Sequence, residues 1–319
     1  MTGSYRTGRR PLLQQAAATL AAATMSKTAF ADDFGYVDAH SHLWSIDRTH
    51  YPLAPGAKEE DVQPRSFDIG EFFEVARPEG VTHVVGIGHG PHFGTDASYL
   101  VDLMKARPGQ VAVQAQLNLD APDPTKQMAE LKAQGVGAFR VVLLDPWKDY
   151  LPESHPIFRV YEFAGMQRLV VCPLTNASWL AQLDRLSQTF PATTVVIDHF
   201  ARVGIEGFLQ QPPAPSEINP QDAANLAKLA RHPLVYVKIS AYYALGHHTP
   251  PYDDMIPFIK QLIRAYGPER LMWGSDSPYQ LAEGQGYRAS VSLIRERLDV
   301  SVADREWLLR KTAERVYFS

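Results

Sequence analysis

Residues 194–199 read Thr-Val-Val-Ile-Asp-His, so a continuous run of β-branched residues is followed at once by two ionisable side chains. A run without polar alternation is typical of a strand buried on both faces, as in a parallel sheet. Further short apolar runs occur along the chain, and most of them are also nearly continuous. The pattern predicts eight parallel strands, at residues 36–39, 81–87, 111–117, 138–144, 169–172, 194–197, 234–239 and 271–273.

Amphipathic stretches between these runs predict helices with recognisable ends. Residues 124–134 begin at a proline and are followed by Gly135, which is the usual asymmetry between the two ends of a helix. Residues 252–266 stop before Gly267-Pro268. Further helices are predicted at residues 68–76, 178–189 and 222–231.

The alternation of strands and helices indicates an α/β fold, a TIM (β/α)8 barrel. Such a barrel takes about 250 residues, and no break in composition divides residues 32–319. The alternative is a doubly wound open sheet, which needs a glycine-rich phosphate-binding turn after an early strand. The segment Gly86-Ile87-Gly88-His89-Gly90 matches such a turn poorly. We therefore predict a single barrel domain.

The overall composition is that of an ordinary globular protein. The chain has 319 residues, 45% of them hydrophobic, with 31 basic and 35 acidic side chains. This apolar content argues against a disordered chain. The single cysteine, Cys172, excludes a disulfide within the chain and a zinc site built from several cysteines. The net charge of −4 gives no electrostatic reason to expect nucleic acid as a partner.

The first 31 residues differ from the rest of the chain. They contain no acidic residue, and the pair Arg9-Arg10 precedes an alanine-rich apolar run at residues 16–25. The segment Ala29-Phe30-Ala31 then has the small-x-small pattern of a signal-peptidase cleavage site. This layout is typical of an export signal, and the arginine pair resembles the twin-arginine type. A disordered or helical extension is the alternative.

Cleavage after Ala31 leaves a barrel domain of residues 32–319. That part of the chain has 27 basic and 35 acidic side chains. It contains no apolar run of the ~20 residues that a membrane span needs. We therefore expect a periplasmic mature protein without a membrane partner.

Ionisable side chains follow three of the predicted strands. His40 and His42 close the first strand, and both project to the same side because successive strand residues point to opposite faces. His199 follows the sixth strand, and Asp276 follows the eighth. The carboxyl ends of barrel strands converge at one mouth, so we expect these side chains to meet there.

Three imidazoles and one carboxylate suit two kinds of chemistry. One Zn²⁺ or another divalent ion, with open coordination positions, could be held by His40, His42, His199 and Asp276. Without metal, the same imidazoles could polarise a carbonyl oxygen directly. In both cases we expect Asp276 to be the general base that takes a proton from an attacking water.

Five stretches, in order along the chain, carry a resemblance to a known family. They read VDAHSHLW, GAFRVVLL, TTVVIDHFARVG, VYVKISAYY and RLMWGSDSPY. The chain resembles the amidohydrolase superfamily, in its amidohydrolase-related branch of lactonases and decarboxylases, over nearly all of residues 35–319. It looks closest to the lactone hydrolases that act on 2-pyrone-4,6-dicarboxylate, muconolactones and sugar lactones. The resemblance implies a TIM barrel that hydrolyses a cyclic ester.

Two departures from the superfamily pattern concern metal. Binuclear members need a bridging lysine on the fourth strand, and residues 138–143 contain none. Many mononuclear members have a histidine at the end of the fifth strand, where this chain has Cys172, which we interpret as a small buried hydrophobe. We therefore expect at most one ion per chain, and metal-free catalysis is an alternative.

Other side chains near strand ends are candidates for binding substrate. Arg140 and Arg202 match carboxylate-binding positions of the dicarboxylate lactonase, and a guanidinium grips a carboxylate in a bidentate fork. His89 is a further candidate, and Lys238 is left open between the barrel interior and an outward partner. Aromatic residues that follow strand ends are candidates for the pocket wall, namely Trp44, Tyr51, Trp147, Tyr242 and Tyr279.

These residues predict an enzyme that opens a lactone bearing a carboxylate or a similar anionic group. One alternative is a metal-dependent, non-oxidative decarboxylase of an aromatic or unsaturated acid, although the absence of a histidine at Cys172 counts against it. The other alternative is an exported anion-binding protein without catalysis. The expected partner in all three cases is a small anionic molecule.

Overall fold

Eight parallel strands follow one another around a single sheet in chain order in the computed structural model. The structure describes residues 35–144, 151–205 and 216–319, so the predicted signal at residues 1–31 and Trp147 lie outside the described residues. The TIM barrel prediction is confirmed. The strands are β1 Tyr36–His42, β2 Val81–Ile87, β3 Val111–Gln116, β4 Ala138–Leu143, β5 Val170–Thr175, β6 Thr194–Ile197, β7 Val235–Ser240 and β8 Leu271–Gly274.

Helices connect the strands and surround the sheet. Among the described residues, no helix is both long enough and apolar enough to cross a membrane. Two π-helical segments, Leu293–Arg297 and Trp307–Lys311, interrupt the helices after β8. The α-helices are α1 Ile69–Ala76, α2 Gly90–Phe93, α3 Ser98–Ala106, α4 Pro124–Lys132, α5 Pro156–Gln167, α6 Leu180–Thr189, α7 Pro220–Lys228, α8 Ile256–Tyr266, α9 Tyr287–Ser292, α10 Val302–Glu306 and α11 Thr312–Tyr317.

The barrel closes between β1 and the segment that follows β8. The backbone N–H of His42 donates to the Ser277 carbonyl at 2.8 Å, and the N–H of Asp276 donates to the His40 carbonyl at 2.8 Å. A Cβ on Gly274 would lie 2.8 Å from the Cβ of His40, so β8 approaches β1 this closely only because that residue is glycine. Closure of the barrel therefore sets Asp276 beside the two histidines of β1.

An apolar cluster fills part of the barrel interior. Val37 and Ala39 belong to a buried cluster with residues from the other strands, and the side chains of Val316, Tyr317 and Phe318 pack against this cluster. A larger apolar cluster lies between strands and helices. Burying each such side chain stabilises the fold by about 1.5–3 kcal/mol. These two layers hold the strand ends in fixed positions.

A register shift in β1 decides where its histidines point. The pairing with β2 is irregular between Asp38 and Ser41. Val37 and Ala39 join the interior cluster, and the Asp38 carboxylate instead accepts hydrogen bonds from Ser275 and Tyr287. A bulge re-aims side chains in this way. His40 therefore also faces the interior, although strict alternation after Ala39 would turn it outward.

Candidate active site

Three imidazole rings surround the carboxylate of Asp276. Its Oδ1 lies 3.4 Å from Nε2 of His40 and 3.4 Å from Nε2 of His42. Its Oδ2 lies 3.7 Å from Nε2 of His199. All four side chains are buried. The structure thus brings together the four residues that the strand ends predicted to meet.

His199 is positioned by an unusual turn after β6. Residues 199–202 all have φ between 49° and 55°, in the left-handed region. Non-glycine residues pay about 1–2 kcal/mol each for this conformation, so the surrounding packing must enforce it. Asp276 also has a positive φ, of 63°. Strained backbone therefore occurs on two of the segments that supply the cluster.

Burial and neighbouring charges set the ionisation of the cluster. Burial, aided by the positive charge of Lys238, lowers the pKa of His40 well below its ordinary value. Burial also lowers the pKa of His199 to about 4, although Asp276 opposes the change. Burial alone would raise the pKa of Asp276, but the facing histidines outweigh burial and hold that pKa well below 3.8. At neutral pH the cluster therefore contains an ionised carboxylate beside neutral imidazoles of His40 and His199.

The outer nitrogen of each imidazole has a different partner. Nδ1 of His42 lies 3.1 Å from the Ile87 carbonyl oxygen, which only accepts hydrogen bonds. Nδ1 of His199 lies 2.9 Å from Oγ of Ser240, which can donate or accept. Nδ1 of His40 lies 3.2 Å from Nζ of Lys238. These partners determine which ring nitrogen carries the proton.

A second buried carboxylate, Asp198, lies on the other side of His40. Its Oδ1 lies 3.3 Å from Nδ1 of His40 and 3.2 Å from Nζ of Lys238. Its Oδ2 lies 3.2 Å from Nε of Arg140 and accepts a hydrogen bond from Gln114 at 3.1 Å. Burial would raise the pKa of Asp198, but Lys238, His40 and Arg140 hold it well below 3.8. Lys238 therefore lines the barrel interior, which settles the choice that the sequence left open.

Two of the predicted substrate-binding residues lie close enough to interact electrostatically. Arg140 and Arg202 are both buried, and the charge of Arg140 acts on Arg202. Burial is the main cause that lowers the pKa of Arg202 to about 10, with a smaller contribution from Arg140. Arg202 is therefore still a cation at neutral pH. Two neighbouring guanidinium groups favour an anion between or beside them.

His89 lies on the other side of His42. Their ring centroids are 5.0 Å apart in an edge-to-face arrangement. Nε2 of His89 lies 2.5 Å from the hydroxyl of Tyr279, a residue of the segment that also carries Asp276. Burial lowers the pKa of His89 well below its ordinary value, so its ring is neutral at neutral pH. His89 and Tyr279 thus form one side of the site.

The prediction that Tyr242 faces the substrate is wrong. Its hydroxyl donates to the Ile239 carbonyl at 2.9 Å, and its ring packs against Phe200 and Tyr252 in the core. The next residue, Tyr243, donates from its hydroxyl to Oδ2 of Asp276 at 2.7 Å. The sequence offers two adjacent tyrosines, and only the turn after β7 decides which of them points inward. Tyr243 is the residue that the sequence analysis missed.

The sequence analysis also missed two further polar residues of the site, Asp198 and Gln114. Asp198 itself directly precedes His199, and Gln114 interrupts the apolar run of β3. A polar residue inside a buried strand, as at Gln114, or directly after one, as at Asp198, is the signal that could have identified both, because such groups need partners. Cys172, in contrast, is a fully buried thiol, and burial raises its pKa to about 12. This placement agrees with its interpretation as a small buried hydrophobe.

The cluster fits a single divalent ion. Ligand atoms of His40, His199 and Asp276 all lie within 4.8 Å of one another. Nε2 of His40 and Oδ1 of Asp276 are buried and have no hydrogen-bond partner among the described residues. Neutral imidazoles and a carboxylate are the donors that Zn²⁺ prefers. The arrangement is therefore chemically suited to one ion.

A family model described as "amidohydrolase" matches residues 37–318, nearly the whole barrel. The chain belongs to the amidohydrolase family. The predicted family is thereby confirmed.

Two characterised relatives align with most of the chain. The 4-sulfomuconolactone hydrolase of Hydrogenophaga intermedia is 25% identical, and the alignment covers 77% of this chain and 75% of the relative. The L-fucono-1,5-lactonase of Burkholderia ambifaria is 24% identical, and the alignment covers 78% of this chain and 82% of the relative.

Solved structures share the barrel of this amidohydrolase. A candidate 2-pyrone-4,6-dicarboxylic acid hydrolase from Pseudomonas putida is 26% identical, with a TM-score of 0.69 over 88% of this chain and 97% of its own. An amidohydrolase from Burkholderia multivorans with bound zinc is 19% identical, with a TM-score of 0.66 over 89% of this chain and 99% of its own. The 2,6-dihydroxybenzoate decarboxylase from Rhizobium is 13% identical, with a TM-score of 0.61 over 88% of this chain and 98% of its own, and shares the fold alone.

Proposed function

We propose that this amidohydrolase opens a lactone that carries a carboxylate or a similar anionic group. The observation that supports the proposal most directly is the ionised Asp276 carboxylate within 3.7 Å of three imidazole nitrogens. The names of the two characterised relatives, a muconolactone hydrolase and a sugar lactonase, favour the same reaction. The substrate is a small molecule, as it is for those relatives.

In the proposed reaction Asp276 acts as the general base. Its carboxylate accepts a proton from water while the water oxygen forms a bond to the lactone carbonyl carbon, and the carbonyl π electrons move to the carbonyl oxygen. Collapse of this intermediate breaks the bond between that carbon and the ring oxygen. Asp276 then returns its proton to the departing alkoxide. The products are one carboxylate and one alcohol on the opened chain.

The imidazole groups stabilise the negative charge on the carbonyl oxygen. The Nε2 atoms of His40, His42 and His199 lie beside Asp276, where the lactone carbonyl would bind, and an imidazole that presents an N–H there lowers the barrier by donating to the carbonyl oxygen. Tyr243 holds Oδ2 of Asp276, which leaves Oδ1 available to the water. This assignment requires at least one imidazole to present an N–H to the substrate.

A bound divalent ion would be held by His40, His199 and Asp276, with His42 adjacent. When bound, it would act as a Lewis acid that polarises the carbonyl group and acidifies water. Elemental analysis of the purified protein is expected to show at most one ion per chain. Two ions per chain would show that the interpretation of β4 and β5 is incorrect, because neither strand offers a second set of ligands.

Arg140 and Arg202 are the proposed partners of the anionic group of the substrate. Arg140 also contacts the carboxylate of Asp198. We also propose that residues 1–31 are a twin-arginine signal and that the mature enzyme works in the periplasm. Cell fractionation with and without residues 1–31 tests this location.

The direct test is a panel of carboxylated, sulfonated and neutral lactones, assayed by release of acid. Ring opening of the anionic members is expected, with weaker activity on the neutral ones. An aromatic acid panel, assayed by release of CO₂, is the parallel experiment. Release of CO₂ without any lactone opening would replace the proposal with decarboxylation.

A further inference from the structure

Lys238 is a fully buried cation that the proposed reaction does not use. It lies on β7, and its ammonium group contacts three acceptors inside the barrel. Nζ lies 2.7 Å from Oε1 of Gln114, 3.2 Å from Oδ1 of Asp198 and 3.2 Å from Nδ1 of His40. An ammonium group has three N–H donors and no acceptor. The contacts with Gln114 and His40 are hydrogen bonds, whereas the contact with Asp198 is an ion pair whose Oδ1 has no hydrogen-bond partner among the described residues.

The orientation of Gln114 is consistent with this arrangement. Its amide nitrogen donates to Oδ2 of Asp198 at 3.1 Å, which turns its oxygen toward Lys238. The same oxygen accepts a hydrogen bond from the hydroxyl of Tyr317 at 3.2 Å. Gln114 is thus an acceptor on one side and a donor on the other. The polar groups beneath the site form one consistent donor–acceptor set.

Within this set Nδ1 of His40 must accept a hydrogen bond. A neutral imidazole that accepts at Nδ1 carries its proton on Nε2. Nε2 of His40 faces Oδ1 of Asp276 at 3.4 Å. His42 has the opposite arrangement, because the Ile87 carbonyl accepts the Nδ1–H and leaves a lone pair on Nε2. The two histidines of β1 therefore present different groups to the site.

We propose that Lys238 is a positioning residue that holds His40 of the metal-free enzyme in the Nε2–H tautomer, which makes His40 a hydrogen-bond donor to the lactone carbonyl oxygen and disfavours its use as a metal ligand. The functional part rests on the proposed lactone hydrolysis, whereas the tautomer itself does not. The competing arrangement places the proton on Nδ1, directed at Oδ1 of Asp198 at 3.3 Å. It would set an N–H of His40 against the ammonium group at 3.2 Å, which is a contact between two donors.

The test is the protonation pattern of the His40 ring in the full-length protein as purified. Two-bond ¹H–¹⁵N correlation spectra distinguish the ring nitrogen that carries a proton from the one that does not, and a His40→Asn variant assigns the signals. We expect a protonated Nε2 in His40 and a protonated Nδ1 in His42, which serves as the reference within the same spectrum. A protonated Nδ1 in His40, or a metal ion on its Nε2, would overturn the proposal.

The variant Lys238→Met removes the donor and is the second measurement. The proton of His40 is expected to move to Nδ1, where Asp198 accepts it, and the Nε2 lone pair then faces Asp276. Titration with zinc chloride alone should show an affinity higher by about ten- to a hundredfold, the usual range for changes at the outer partner of a ligand histidine. An unchanged tautomer in the folded variant would refute the role of Lys238. If the variant does not fold, the wild-type spectrum alone decides.

Tyr317→Phe is the matched control. It removes a hydroxyl that also contacts Gln114 in the same buried set, but it leaves the contact between Lys238 and His40 in place. In this variant the tautomer of His40 and the affinity for zinc should equal those of the wild type. A failure of the lactone assay would leave these spectra unaffected, so the two proposals can fail separately.

Discussion

Two buried carboxylates lie on either side of His40, and their partners differ. Asp198 contacts the permanent cations Lys238 and Arg140 together with the amide of Gln114. Asp276 contacts a tyrosine hydroxyl and three imidazole nitrogens instead. Oδ1 of each carboxylate has no hydrogen-bond partner among the described residues, but that of Asp198 pairs with the Lys238 cation. Both carboxyl groups have pKa values well below 3.8. Ionisation alone therefore does not distinguish a structural carboxylate from a reactive one, whereas the partners do.

The difference predicts different losses when each carboxylate is removed. Asp198 neutralises buried cations, so its removal should chiefly affect folding. Asp276 keeps one oxygen free for a reacting molecule, so its removal should chiefly affect turnover. Each experiment below tests one side of this contrast.

Asp276→Asn is expected to give the largest effect on activity. Loss of a general base typically reduces kcat by about 10²–10⁴-fold. Substrate affinity should change little, and the midpoint of thermal unfolding should not fall, because Asp276 forms no ion pair with a lysine or arginine among the described residues. Initial rates of acid release and unfolding curves check both statements. A variant that retains its turnover would show that a group other than Asp276 acts as the base.

Asp198→Asn is expected to destabilise the fold. It leaves the charges of Lys238 and Arg140 buried without their shared carboxylate, which typically costs about 3–5 kcal/mol in the free energy of unfolding. Urea denaturation measures the change. The control is Asp184→Asn, which removes a carboxylate 2.6 Å from Arg231 on the surface and should cost less than about 1 kcal/mol. Equal losses in the two variants would contradict the structural role of Asp198.

Substitutions of the two adjacent tyrosines after β7 can be compared directly, and each is expected to have a smaller effect than the loss of a carboxylate. Tyr243→Phe removes the donor that holds Asp276, and kcat should fall about tenfold, the value of one hydrogen bond to a charged group. Tyr242→Phe should instead lower the free energy of unfolding by about 1 kcal/mol with kcat unchanged, because its hydroxyl contacts only backbone in the core. The opposite pattern would restore Tyr242 as the residue that faces the substrate.

The value of kcat/KM should change little as the pH is lowered below neutral. The pKa of Asp276 is lowered, so its base form persists as the pH falls and is lost only below 3.8. We expect a constant kcat/KM for lactone opening from about pH 8 down to about pH 5. A fall with an apparent pKa near 6 would assign the base to another group.

Much of this protein could be predicted from the sequence because the signals are local. Continuous apolar runs indicated the strands, and polar residues at their ends indicated His40, His42, His199 and Asp276. The ends of elements were less certain: β1 extends to His42, beyond the apolar run, because its last residues pair with β2 and the segment after β8. Helices α3 and α5 were not predicted: α3 has no side-chain cap at its start, and α5 begins at a proline, Pro156, but is followed by Arg168 and not by a glycine.

The sequence by itself determined the barrel, the family and the chemical types of the groups at its mouth, because periodicity and strand-end residues follow from local chain geometry. Only the tertiary structure decided which of Tyr242 and Tyr243 points inward and that Lys238 lies under His40. Those choices depend on the turn after β7, where Ala241 has a positive φ, on the bulge in β1 and on the close approach of Gly274 to His40. His40 and Gly274 are 234 positions apart in the chain, so no local pattern encodes their contact.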